Sequence, residues 1–176
     1  MSGLMGLLNR VGPQHAMRTV RVLAAASALL FVAMALYTSP LDPSIPAIQF
    51  TFTEAGFRSV LNAWRPADVA RFRAHFAIDF PFLVCYGALG FLLTRRSGLF
   101  RSVKPRTKSL LAISMPVAAA ADAIENALHL YFLYSTAPAA RALYFAAGVA
   151  ASVKWLLIVA FVCCSVYALR RNAASI

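Results

Sequence analysis

Five ionisable residues stand inside long apolar runs: Asp79, Asp122, Glu125, His129 and Lys154, with the amide of Asn126 among them. An Asp or Lys at the centre of a lone membrane helix costs about 2.5–3.5 kcal/mol on the insertion scale, so each must face other protein and find a partner. Asp122, Glu125, Asn126 and His129 fall at i, i+3, i+4 and i+7, which on a helix is one narrow stripe. Alanines surround that stripe (Ala118–Ala121, Ala123, Ala127) and let a neighbouring helix come close. Three acids face one lysine and one histidine, and Asp122 and Glu125 lie one turn apart, so the pair reads as sharing a proton. Such a cluster can relay a proton, hold a cation, an amine or a lipid-like ligand, work as a carboxylate acid/base, or clasp helices together.

Other chemistries fit less well. Asp122, Glu125 and His129 have helical spacing for metal ligation, with Asp79 as a fourth group, but no H-x-x-x-H or H-E-x-x-H signature is present. The Lys154 ammonium also opposes a cation, so neither a metal nor another cofactor is expected. His15 and His75 are placed outside the cluster, His75 at the outer membrane edge. Ser114 and Ser152 lack a nucleophile elbow. Tyr86, Tyr131, Tyr134 and Tyr144 could join the carboxylates and the lysine in protonating or deprotonating a lipid-like substrate, but read more readily as interfacial anchors or packed core. Cys85, Cys163 and Cys164 form no C-x-x-C pair and read as reduced small hydrophobes, the last two also as weak acylation candidates.

The elements that position these groups follow from composition. Of 176 residues, 61% are hydrophobic and 13% charged, and the mean hydropathy is +0.70. Soluble domains run at about 45–50% apolar and about 25% charged. This is the profile of an integral membrane protein, with no length to spare for a separate soluble module. Apolar runs predict membrane helices over 22–38, 76–94, 110–134 and 142–169, each near or above the ~17–20 residues that cross a bilayer core. Period-two alternation of a membrane barrel is absent. The expectation is a single all-α domain, a polytopic four-helix bundle. Around the spans lie a basic N-terminus (1–21), a long loop (39–75), a basic loop (95–109), a turn (135–141) and a tail (170–176).

Depth suggests the pairing. At ~1.5 Å per residue, Asp122 and Lys154 both lie ~18 Å from the outer ends of their helices, and Asp79 and His129 at ~5–8 Å. Asp122 is therefore expected to meet Lys154, and Asp79 to meet His129, with Glu125 and Asn126 bridging the two levels. Glu125–Lys154 is the alternative pairing.

Net charge is +11, and its placement sets topology. Arg10, Arg18, Arg21, Arg95, Arg96, Arg101, Lys104, Arg106, Lys108, Arg170 and Arg171 gather on one side with no acid. Arg58, Arg65, Arg71, Arg73 and Arg141 on the other are offset by Asp42, Glu54 and Asp68. Both termini are thus expected in the cytoplasm, with the basic side drawn to anionic lipid rather than to nucleic acid. Ala33-Met34-Ala35 loosely resembles a signal cleavage site, but it sits inside the apolar run, and the first helix is expected to be retained.

In the long loop, Pro40, Pro43 and Pro46 predict an extended start. Thr53 then caps an amphipathic helix whose Phe57, Val60, Leu61 and Trp64 share a face. That helix reads as interfacial, with Trp64 at head-group level, or alternatively as a lid over an outward-facing cavity. Pro66 is placed to start a helix that continues into the second span, where Pro81 is a candidate kink.

Three segments carry a family likeness: Asp79-Phe80-Pro81-Phe82 with Tyr86, Ala121-Asp122-Ala123-Ile124-Glu125-Asn126, and Val153-Lys154-Trp155. With them the chain resembles uncharacterised bacterial four-helix integral membrane proteins that carry Asp-x-x-Glu-Asn in the third helix and Lys-Trp in the fourth. The resemblance covers the three later helices and implies a bacterial inner-membrane location. It supplies no activity, and His129 is not part of it.

The leading expectation is a pocket opening towards the periplasm that takes a small cation, amine or lipid-like ligand, with proton coupling through Asp122 and Glu125. The alternatives are an intramembrane enzyme acting on a lipid or isoprenoid by carboxylate acid/base chemistry, and a structural or accessory subunit held by a polar clasp. Expected partners are membrane lipids and either a second copy or another membrane protein. For a second copy, Ala147 and Ala151 with Gly148 and Ser152 offer a small-residue face.

Overall fold

The computed structural model describes residues 13–135 and 139–173. Arg10 and part of the 135–141 turn fall outside them. The described chain forms α1 (Pro13–Thr38), α2 (Ile45–Gln49), α3 (Glu54–Ala63), α4 (Pro66–Arg96), α5 (Pro105–Tyr134) and α6 (Arg141–Ala173). Four of these, α1, α4, α5 and α6, are long and apolar enough to cross a bilayer. The protein is a multi-pass, all-helical membrane bundle.

Each long helix outruns the span read from hydropathy, because polar end turns carry no apolar signal. α4 begins ten residues before the predicted 76, with Pro66 in its first turn, where a missing N–H costs nothing. Pro105 opens α5 in the same way. Pro81 and Pro116 both lie within helices, so each removes one backbone hydrogen bond.

Packing runs in chain order: α1 on α4, α4 on α5, α5 on α6. α4 and α5 meet closely because Gly87 stands against Ala119 and Gly90 against Met115. A Cβ on Gly87 would come within 2.9 Å of the Ala119 methyl, and one on Gly90 would overlap the Met115 side chain.

The loop between α1 and α4 folds over one end of the bundle, here called the roof end. Its start is not the extended stretch that three prolines suggested. Residues Ile45–Gln49 make one helical turn with Pro46 in an early position that tolerates the lost donor. α3 forms as expected, with Thr53 Oγ1 accepting from the Gly56 N–H at 3.1 Å. Glu54 accepts from Arg58 Nε at 2.7 Å and pushes the guanidinium pKa above its ordinary value. The apolar face of α3 turns inward. Phe57 is 2% exposed and packs on the rings of His129, Phe132 and Tyr144.

Two sequence expectations are corrected here. Trp64 is not turned out to lipid head groups: it is buried, packs at a tilt against Phe72 and donates its indole N–H to the Pro43 carbonyl at 2.8 Å. The small-residue face of α6 is also occupied from within the chain. A Cβ on Gly148 would lie 2.6 Å from the Phe52 ring and 2.8 Å from the Thr51 carbonyl, and Ala147 and Ala151 are buried. Small residues at 147–151 seat the loop on α6, so they do not supply the surface for a second copy.

Candidate functional site

The α5 stripe forms as its spacing requires, and it faces inward. Asp79, Asp122, Glu125, Asn126, His129 and Lys154 are all at most 4% exposed. Lys154 Nζ reaches from α6 to Asp122 Oδ1 at 2.9 Å and Glu125 Oε2 at 2.6 Å, so both pairings considered from the sequence exist at once. The ammonium sits between the two carboxylates, where any cation bridging them would have to be. α4 joins from the other side, with the Tyr86 hydroxyl donating to Asp122 Oδ2 at 3.0 Å. Three helices therefore meet at one charged node.

The second expected pair does not form. Asp79 Oδ2 accepts from Asn126 Nδ2 at 2.8 Å, not from His129. Depth along the axes was a fair guide to level but carries no information on rotation about them, and Asn126 is the stripe residue turned towards α4. His129 instead lies with Nδ1 3.9 Å from Glu125 Oε1. Its ring is framed by Phe57, Phe72 and Phe132, and its Nε2 has no hydrogen-bond partner among the described residues.

His75 is the second correction. It does not stand apart from the cluster: it lines the same cavity as Asp79, is buried, stacks on Phe72 and donates from Nδ1 to the Phe72 carbonyl. With α4 beginning at Pro66, His75 is already more than two turns in, one turn from Asp79 on the same face. Tyr86, taken from the sequence as an anchor or packing residue, belongs to the charged node. The signal that could have found both is the spacing His75, Asp79, Tyr86 at i, i+4 and i+11, a stripe on α4 facing the one on α5.

Beside the node lies a cavity of about 380 Å³. Its polar side is His75, Asp79, Tyr86, Asp122 and Lys154. α1 contributes one wall through Phe31 and Met34, and α6 the other through Trp155 and Ile158. α2 closes the roof end, pinned by Trp155 Nε1 donating to Gln49 Oε1 at 3.1 Å. Gln49 has no sequence signal as a site residue, since only the fold of the loop brings it there. Two other depressions have larger volumes, an open apolar groove at Gly87 and Pro116 (about 440 Å³) and a recess at Glu54 and Arg141 (about 560 Å³). Neither reaches the buried cluster. The 380 Å³ space combines apolar walls with a few convergent polar groups, the usual make-up of a small-molecule site.

Compared with protein-family models, with curated proteins and with solved structures, the chain matches none.

Proposed function

We propose that the protein binds a small cationic, amine or lipid-like ligand in the cavity between α1 and α6, with the Asp122–Glu125–Lys154 node as its charged base. The observation that carries this reading is the coincidence of the two features: the cavity reaches Asp79, Asp122 and Lys154 while its walls are Phe31, Met34, Trp155 and Ile158. In this reading the protein lies in a bacterial inner membrane with its basic end in the cytoplasm, following the loop charges. The roof end then faces the periplasm, and the ligand arrives from that side or from the outer leaflet. Asp122 and Glu125, sharing one ammonium, are the groups through which a proton would couple to binding.

Organic extraction of the purified protein followed by mass spectrometry tests the pocket. A small amphiphile is expected in wild type and absent from Ile158→Trp, which narrows the cavity while keeping every charged side chain. An extract identical for both proteins would overturn the reading.

A structural role has its own supporting observation, because the Lys154 node joins α4, α5 and α6. The triple variant Lys154→Met/Asp122→Asn/Glu125→Gln separates the two. A ligand-binding protein folds in this form but loses its bound amphiphile, whereas a pure clasp is unaffected in anything but stability.

A further inference from the structure

We infer that the cavity's ligand carries an ammonium group on a compact apolar body, with Asp79 as its counter-ion; this rests on the pocket reading above. The argument begins with which charges are already matched. Asp122 and Glu125 both contact Lys154, at 2.9 and 2.6 Å, and Asp122 also receives the Tyr86 hydroxyl. Asp79 lines the same cavity and has only the neutral amide of Asn126, on Oδ2. Its other oxygen has no hydrogen-bonding partner among the described residues. A carboxylate in an apolar setting requires a positive partner or several donors. Among the described residues the one Lys or Arg lining this space, Lys154, is shared by the other two acids.

The remaining polar groups of the cavity point to the same chemistry, because most of their protons are spent internally. Thr38 donates to the Met34 carbonyl and Ser39 to the Leu36 carbonyl, both at 2.9 Å, which leaves lone pairs at the roof end. The Trp155 N–H is taken by Gln49. A carbonyl can only accept, so His75 Nδ1 must carry its proton towards Phe72, and in the neutral ring Nε2 is then an acceptor. His75 and Asp79, one turn apart on α4, thus present acceptors together. A group rich in donors and positive in charge satisfies them, and an ammonium is both.

The walls select the rest of the molecule. Phe31, Phe82 and Trp155 offer aromatic surface to an apolar body and ring faces to a cation. A phosphate on the ligand is disfavoured, since it would lie beside Asp79 and Asp122 with no unshared ammonium to meet it among the described residues. The ligand class is therefore a free arylalkyl or alkyl amine rather than a phospholipid head group.

The experiment compares three probes of one shape, phenylbutylamine, phenylbutanol and phenylbutyrate, against the purified protein in uncharged maltoside micelles. Binding is read by titration calorimetry and by quenching of Trp155, one of two tryptophans. The amine is expected to bind at least ~10-fold more tightly than the alcohol, and the butyrate most weakly. Asp79→Asn, which keeps a partner for Asn126, is expected to bring the amine down to the alcohol's affinity and to leave the alcohol unchanged. Equal binding of amine and alcohol by wild type would overturn the inference without reference to any variant, while leaving the pocket intact. Binding of no probe at all would instead remove the pocket reading itself. Loss of amine binding on adding phosphatidylethanolamine would overturn the free-amine assignment in favour of a lipid ammonium.

Discussion

α5 and α1 are both long and apolar enough to cross a bilayer, yet they are held in very different ways. Half of α5's apolar stretch is buried inside the protein, against 11% for α1. α5 is joined to α6 through Lys154 and to α4 through Tyr86, Asn126 and a glycine-mediated close approach. α1 packs mainly on α4, shows Leu29 and Leu36 outward, and buries Ser27 Oγ without a partner among the described residues. Yet α1 supplies Phe31 and Met34 to the cavity wall. The space beside the charged node thus lies on the seam between a three-helix core tied by polar contacts and a fourth helix that is mostly uncovered and packs mainly on one neighbour. Sites that must admit a ligand are commonly built where local stability is lowest.

That contrast can be broken most forcefully at its strong side. Lys154→Met strands two buried carboxylates and should cost about 3–5 kcal/mol in a reversible unfolding titration. Adding Asp122→Asn and Glu125→Gln should recover most of the loss, because a neutral node has nothing left to compensate. If Lys154→Met alone unfolds like wild type, the three-helix core is not held by charge.

A smaller effect is expected where the loop meets α6. Gly148→Val drives a side chain into Phe52 and the Thr51 carbonyl, at an expected cost of about 1–3 kcal/mol. The loop should become a target for proteolysis while α4, α5 and α6 stay protected; unchanged protection of the loop would show that Gly148 does not seat it. The least effect belongs to α1. Leu29→Ala removes a side chain that faces outward, and unfolding should shift by no more than about 0.5 kcal/mol. A large loss there would mean that α1 is bound as firmly as its neighbours.

Much of this arrangement was readable before any coordinates. Four apolar runs gave four helices, and the 3–4 spacing of Asp122, Glu125, Asn126 and His129 placed them on an inward face. Equal depth correctly joined Asp122 to Lys154. Where the reading went astray, the missing quantity was physical. Depth says nothing of azimuth, so Asp79 was matched to His129 instead of Asn126. Hydropathy underestimates helix ends, so His75 was set outside the cluster when α4 already carried it onto a shared face with Asp79. Small residues at 147–151 announce close approach without naming what approaches, and Phe52 of the loop filled the role assigned to a second copy. Gln49 and Trp155 meet across more than a hundred residues, a contact no local pattern encodes.

The lysine shared by two carboxylates also bears on how the chain is made. Entering lipid alone, α5 would carry Asp122 and Glu125 at about 2.5–3.5 kcal/mol each, and α6 would carry Lys154 at a similar cost. These helices are consecutive, and the Lys154 ammonium meets both carboxylates only once they are side by side. The last two segments are therefore expected to leave the insertion machinery as a hairpin, with α5 held in a protein-lined setting until α6 has been synthesised. Biogenesis of this small protein is in that sense cooperative at its C-terminal half.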